Sequence, residues 1–415
     1  MITKGNRVAS SLLVLLLAVL LFLSPACQSD ATRDVLREET SSYRFSLVRW
    51  QVTNLPVKLV SSIFNVGEVP PPEERKALVG EFLALQSEVR SLERQLARAV
   101  AVQGQSPETE TLEEELRELR LEFMSLAPHV EAIIEYEVAH VLASQGFGFS
   151  LASGRVIFPP VLFVFQPAPS MLVASPRDRI QLLGYELLCP SLTVSQFELV
   201  EGRFAQHDNL SVIVASPGGL ATYPSIVDEG ARFYRTLYVV VHEWVHHYLI
   251  FYPLGRAWFQ GGVARQLNET VADITGYEVA DQIYRQYGYE PPPWQTPPTE
   301  TGFNYTAEMR ETRLVTGQLL EEGRIDEAEQ YMEERRQLFV DEGYYIRKLN
   351  QAYFAIRDPY AFSPTSISPM GEQLQELRSY YDTLGEFVLA LRGLTTYEEV
   401  LRLLDEKRAQ HLDSY

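Results

Sequence analysis

Residues 242 to 247 read His242-Glu243-Trp244-Val245-His246-His247, and Asn268-Glu269-Thr270-Val271-Ala272-Asp273 follows one helix and a turn later. No other feature constrains the fold as much, because the two clusters can cooperate only if two helices face each other. On a helix, His242 and His246 stand at i and i+4, so both imidazoles project from one face about a turn apart. A tetrahedral divalent metal bridges that separation. Glu243 is rotated off the pair by one residue, where it can reach a metal-bound water without being a ligand, as a general base must. Leu237, Val239, Val240, Val241, Val245 and Leu249 make the segment apolar on most sides, so the histidines are predicted to be buried. His247 points about 100° away from His246 and is read as a neighbour rather than a ligand.

Two imidazoles leave a catalytic zinc under-coordinated, and Glu269 is the candidate third ligand. It shares the i, i+4 relation with Asp273, so one helix offers a carboxylate to the metal and a second carboxylate behind it. Asp273 is placed to accept the free ring N–H of a ligating histidine, which fixes its tautomer and raises its basicity. The competing reading is a set of satisfied core histidines beside a solvated Glu243. A bare His-Glu-x-x-His arises by chance in about one chain in a hundred of this size, so the motif alone decides little. The Glu-x-x-x-Asp continuation shifts the balance, as does the clustering of three of the seven histidines within 242–247.

Over residues 242–273 the chain resembles the gluzincin metallopeptidases, the clan of thermolysin-like enzymes and zinc aminopeptidases with two histidines and one glutamate on zinc. The resemblance implies one Zn²⁺ per chain held by His242, His246 and Glu269, with Glu243 as general base and Asp273 orienting a histidine. A metzincin is disfavoured, because Leu249 and Tyr252 stand where its Gly and third His would fall. In gluzincins the strand upstream of the zinc helix pairs with the extended substrate. The same resemblance points to Leu220, Ala221, Thr222 and Tyr223, with Gly218 and Gly219 permitting close approach; an ordinary hairpin turn is the alternative. Gluzincins also supply an oxyanion donor from a downstream Tyr or His. Only His411 remains among later histidines, so the choice falls on the tyrosines at 344, 345, 353 and 360, and Tyr353 is favoured.

The N-terminus addresses compartment. Lys4 and Arg7 precede an unbroken apolar run, Leu12 to Leu23, and Ser24-Pro25-Ala26-Cys27 follows. Residues 1–26 therefore read as an export signal, short for a spanning helix. Cys27 after Ala26 suggests lipidation as in bacterial lipoproteins, although Ser24 departs from the usual pattern; an uncleaved anchor over Val8–Leu23 and plain secretion are the rivals. The other cysteine, Cys189, is then read as a buried small hydrophobe, and a disulfide framework is excluded. Stability must come from a core, which 415 residues at 46% hydrophobic content can build. The net charge of −19 argues against nucleic acid as a partner and against electrostatic binding to anionic lipid. Oligomeric state is not legible.

Along the chain, 27–72 reads as a tether and packing segment closed by Pro70-Pro71-Pro72. Leu78, Phe82, Leu85, Val89, Leu92, Leu96 and Val100 recur at steps of three and four. Gly104 breaks that helix, and Ser106-Pro107-Glu108 opens another through Leu112, Leu116, Leu119, Phe123 and Leu126. The expectation is an antiparallel helical hairpin over 73–145 packed on the main body, with a dimeric coiled coil as the alternative. In the region 146–230, Val156–Phe158, Val161–Phe165, Met171–Ala174, Leu192–Val200 and Ser211–Ala215 are expected to form one small sheet. Residues 231–415 read as a helical catalytic region, with Pro291-Pro292-Pro293-Trp294 and Pro297-Pro298 as a stiff loop bordering the cleft. Leu319–Ala328 is similar to one tetratricopeptide turn, but without a second copy a solenoid is rejected. Thr396-Tyr397-Glu398-Glu399 reads as a capping box opening the last helix.

The expected fold is α+β and mainly α, a zincin-like body over 146–415 with a small sheet and an N-terminal helical hairpin. The expected activity is extracytoplasmic, zinc-dependent hydrolysis of peptide bonds, exo- or endo-acting. Asp228 and Glu229 are candidates for gripping a free N-terminus, while the absence of a Gly-x-Met-x-Asn loop takes weight from one aminopeptidase branch. The alternatives are a zinc amidase acting on cell-wall peptide and a non-catalytic envelope lipoprotein whose hairpin binds a partner.

Overall fold

The computed structural model describes residues 30–65, 69–151, 154–294 and 302–412. The segment read as an export signal, Cys27, and the prolines at 297 and 298 lie outside the described residues. Among the described residues no helix is long and apolar enough to cross a membrane. The architecture is mainly helical with small sheets.

The stretch expected to be a tether and packing segment holds two helices, α1 (Asp30–Glu39) and α2 (Leu47–Asn65). Next come α3 (Pro72–Gln103) and α4 (Pro107–Ser144), packed on each other as a hairpin. The break between them follows from local chemistry. Gly104 takes φ 65° to end α3, and Ser106 and Thr109 exchange reciprocal side-chain to backbone hydrogen bonds that satisfy the first N–H groups of α4. Phe82 and Phe123 stack across the pair with centroids 4.6 Å apart. The second half of α4 continues into the protein's largest core, where Val130, Ile133, Ile134, Val138 and Leu142 are fully or almost fully buried with the residues of the histidine helix. The hairpin is therefore built into the body through α4.

Among the described residues the expected single sheet is three separate ones. Strands β1 (Phe149–Leu151) and β2 (Gly154–Val156) form a short antiparallel ribbon. Strand β3 (Phe163–Phe165) pairs in parallel with a later strand, described below. Strand β4 (Pro169–Pro176) is the centre of a three-stranded antiparallel sheet, flanked by β5 (Gly184–Pro190) and β6 (Leu210–Ala215). Alternation along β4 sends Leu172 and Ala174 to a core shared with Leu36 of α1, and Met171 and Val173 to a core under the C-terminal helices. The run Leu192–Val200, expected as a strand, is instead the helix α5 (Val194–Gly202). Thr193 and Gln196 form a capping box at its start, and that local hydrogen bonding overrides the apolar, β-like composition. Cys189 is half-buried at the end of β5, with its thiol near the Arg44 carbonyl at 3.8 Å, and is not a core residue.

Two further strands, β7 (Gly219–Leu220) and β8 (Ser225–Val227), complete the sheet β3-β8-β7, in which β7 is an edge. The histidine helix α6 (Phe233–Leu249) follows directly, then the short α7 (Pro253–Ala257) and the long α8 (Gly262–Gln286). Helices α6 and α8 pack along one another. Gly276 of α8 makes the approach possible, since a Cβ there would stand 3.1 Å from the Tyr238 ring. The remaining helices are α9 (Tyr305–Glu321) and α10 (Ile325–Asp341), which pair once without repetition, then α11 (Gln351–Ala355), α12 (Met370–Ser379), α13 (Leu384–Leu391) and α14 (Tyr397–Leu412). The box expected at 396–399 is present, with Glu399 accepting from the Thr395 and Thr396 N–H groups at 2.9 and 3.0 Å.

Candidate metal centre

Helix α6 presents His242 and His246 to α8, which presents Glu269 and Asp273. The predicted ligand set converges: His242 Nε2 is 3.1 Å from His246 Nε2 and 3.2 Å from Glu269 Oε2, and the third side of the triangle is 3.4 Å. Ligands 2.0–2.1 Å from a tetrahedral Zn²⁺ stand about 3.3 Å apart, so the triangle has the size of one face of such a site. Two further observations suit a cation there. The two Nε2 atoms face each other although each also has a carboxylate at hand, and Glu269 Oε2 is buried with no hydrogen-bond partner. His242, His246 and Glu269 are the one such ligand group among the described residues.

The outer atoms of these side chains are all held. His242 Nδ1 lies 3.0 Å from Asp273 Oδ1, the role the spacing gave to Asp273. Tyr238 donates its hydroxyl to that same oxygen and approaches His242 Nδ1 at 3.3 Å. His246 Nδ1 is 2.7 Å from Asn268 Oδ1, and Trp258 Nε1 donates to Glu269 Oε1 at 2.8 Å. With each Nδ1–H committed to an oxygen, the Nε2 lone pairs point inward. Asn268, adjacent to the candidate ligand, went unread as the partner of His246. Trp258 and Tyr238 carried no signal in the sequence, because only the packing of α6, α7 and α8 brings them in.

Charge in this cluster is unbalanced. Burial opposes protonation of His242, but Asp273 and Glu269 on its two nitrogens outweigh burial and hold it near pKa 10. Burial likewise opposes ionisation of Glu269, yet the two histidines keep it well below the usual carboxylate range. Glu243 is pushed up by burial, with His242 and His246 partly offsetting the effect. Three carboxylates thus converge on two imidazoles, an arrangement that favours added positive charge.

The centre opens into a cavity of about 620 Å³. Glu243 lines it beside the triangle, as a base must. Residues 218–222, which include the edge strand β7, form one wall, so Leu220, Ala221 and Thr222 line the cavity. Tyr223 does not line it. Its ring is buried against His247 and its hydroxyl donates to the Pro160 carbonyl at 2.9 Å. Gly219 has a steric reason: a Cβ there would collide with Val239 Cγ1 and stand 3.1 Å from Glu243 Oε1. Trp294, at the start of the proline-rich loop, reaches the cavity and stacks on Tyr277 with centroids 4.8 Å apart.

The choice among the tyrosines needs correction. Tyr353 packs in the core under β4 with the Arg357 guanidinium 3.7 Å from its ring centre, and it is not part of the cavity wall. Tyr344 belongs to the same packing and Tyr345 is exposed. Tyr360 is the one of the four that lines the cavity, with its ring centre 6.4 Å from that of His242. Glu269 above all, then burial, Glu243 and Asp273, raise its pKa well above the ordinary tyrosine value, so it is a proton donor rather than a phenolate. Asp228 and Glu229, the candidates for an N-terminus pocket, do not line the cavity either.

No family model, no characterised protein and no solved structure matches this chain.

Proposed function

We propose that this protein is a zinc-dependent peptide hydrolase of the gluzincin type, with a zincin-like body, acting outside the cytoplasm. The observation that carries the reading is the triangle of His242 Nε2, His246 Nε2 and Glu269 Oε2, in a cavity that Glu243 and an edge strand also line. The fit of that triangle to a tetrahedral face, and the unpartnered Glu269 Oε2, support zinc as its occupant. A purely structural zinc would need a fourth protein ligand, and the group contains three among the described residues, which favours an open position for chemistry. Bound there, Zn²⁺ supplies Lewis-acid activation of a water and of the scissile carbonyl.

The chain's own residues do the rest. An extended peptide adds to the free edge of β7 through main-chain hydrogen bonds, which orients its carbonyl toward Glu243. Glu243 accepts the proton of the attacking water and passes it to the leaving amine; its raised pKa suits a group that must both take and give a proton. Tyr360 donates its O–H to the oxygen that becomes negative in the transition state. Asp273, Asn268 and Trp258 hold the ligands in place.

Zinc content and turnover test this together. Protein lacking residues 1–26, with Cys27→Ser, is expected to hold about one zinc per chain, and Glu269→Ala to lose it or bind it far more weakly. Glu243→Gln is expected to keep the zinc and lose peptide hydrolysis by 10² to 10⁴-fold. A chain that holds no zinc after metal-replete purification would end the reading, and full activity in Glu243→Gln would leave only a non-catalytic zinc protein.

A further inference from the structure

The cavity's charges divide by sign in a way the metal chemistry does not use. Its carboxylates are Glu243, Glu269 and Asp273, all committed to the centre, so none is left to hold a substrate's free ammonium group. Its arginines are Arg235, Arg265 and Arg357, and none has a carboxylate within ion-pair distance among the described residues. Two are occupied otherwise. Arg265 lies 4.5 Å from the Trp258 ring and bonds its carbonyl, and Arg357 caps the Tyr353 ring and carbonyl.

Arg235 is different. It is exposed on the third residue of α6, a helix with no acidic residue in its first turn. Its guanidinium is held 4.6 Å from the Tyr238 ring centre, a contact with the ring that fixes the cation without engaging its N–H groups in an ion pair. The guanidinium lies against the residue that precedes the edge strand: a Cβ on Gly218 would lie 3.1 Å from Arg235 Nη2, just as one on the next residue, Gly219, would lie 3.1 Å from Glu243 Oε1. The cation and the general base therefore flank consecutive residues, Gly218 and Gly219, of which the second opens β7, with their Cα atoms about 3.8 Å apart along the chain. A peptide pairing antiparallel to β7 runs from Thr222 toward Gly218, so it passes Glu243 first and Arg235 afterwards.

We propose that Arg235 receives a carboxylate carried by the peptide one or two residues C-terminal to the cleaved bond, making anionic C-terminal ends the preferred substrates. The inference rests on the peptidase reading above. Its chemistry has two sources, a free α-carboxylate or an Asp or Glu side chain. In a chain of net charge −19 such a group meets general repulsion, and a fixed guanidinium offsets it at one place.

Three acetylated pentapeptides of one sequence separate the possibilities: the free acid, its C-terminal amide, and the amide with glutamate near its end. Binding to zinc-loaded Glu243→Gln protein is read by calorimetry, with and without Arg235→Gln, alongside turnover by otherwise wild-type protein. At least one anionic peptide is expected to bind ten-fold or more tightly than the neutral amide, with the ratio falling toward one in Arg235→Gln and partly recovering in Arg235→Lys. Preference for the free acid alone identifies the α-carboxylate; preference for the glutamate amide alone identifies the side chain. Equal binding of all three peptides, or an unchanged ratio in Arg235→Gln at normal zinc content, overturns the proposal. An Arg235-dependent ratio without any turnover would instead overturn the hydrolase reading and leave the anion site standing.

Discussion

Glu269 shows at the scale of one residue how the site divides its labour. One carboxylate oxygen is tied to the Trp258 indole, and the other is buried with nothing to receive it but the two imidazoles. Tying one oxygen fixes the direction of the other, which is how an outer contact raises metal affinity without touching the metal. Asp273→Asn is therefore expected to weaken zinc binding 10- to 100-fold with the fold intact, measured by competition with a chelator; unchanged affinity would show that Asp273 is packing only. The tyrosines make a second, sharper case. Tyr360→Phe is expected to lower kcat by roughly 10² to 10³-fold at full zinc content, since it removes one donor to the oxyanion. Tyr353→Phe is expected to act on stability and not on turnover, because its ring lies in a different core. Equal kinetic effects of the two changes would remove Tyr360 from the mechanism. The i, i+4 spacings made His242, His246, Glu269 and Asp273 legible in the sequence. The right tyrosine was not, because Tyr360 is delivered by the turn after α11 and no periodicity reports where a turn points.

At the scale of elements, the helical hairpin and the strands β3, β4 and β6 were legible, while β5 and α5 were not. The hairpin boundaries at Gly104 and Ser106 follow from one left-handed glycine and one cap, both local in sequence. Strand β5 carries no period-two signal because Leu187 and Leu188 sit side by side instead of alternating, and the apolar run of α5 hides a capping box. In the proposed mechanism the most consequential element is β7, two residues long, which lies close to α6. Gly219→Ala drives a Cβ into Val239 Cγ1 and crowds Glu243 and the Ile226 carbonyl. The expected cost is about 1–3 kcal/mol of stability, with kcat/KM for peptides reduced ten-fold or more while zinc is retained. Adding Val239→Ala opens the space that the new methyl needs, so the double variant should recover part of both losses. A Gly219→Ala protein as stable and as active as the parent would show that β7 has room to move and does not set the cleft.

At the scale of the whole molecule, a buried ion cluster outside the candidate metal centre joins distant parts of the chain. Lys58 of α2 reaches Glu131 at 2.7 Å and Glu135 at 2.8 Å, both on α4, and those carboxylates also accept the backbone N–H groups of Phe165 and Phe163 in β3. Three elements distant in sequence thus meet through one cation and two acids. Burial disfavours the charge on Lys58, but the two glutamates outweigh it and raise its pKa. One cation does not compensate two buried anions. Burial accordingly pushes the Glu135 carboxyl up to about 7, against the pull of Lys58 and of the Phe163 N–H. Because its folded pKa lies above its unfolded value, the folded state binds the extra proton between about 4.5 and 7. The associated stability is complete below that window and is lost as pH rises through 7. Glu135→Gln mimics the protonated acid, so its urea midpoint should match the parent near pH 5 and exceed it at pH 8.5. The difference should grow by at most about 1.4 kcal/mol per pH unit across the window. Contributions that both proteins share, such as that of buried His247, whose pKa is lowered to about 3, cancel in the comparison. Lys58→Met should cost more, about 3–5 kcal/mol, because it strands two carboxyls in the core without their cation. Parallel pH profiles for the parent and Glu135→Gln would mean that Glu135 stays ionised when buried, with Lys58 and the Phe163 N–H sufficient to hold its charge.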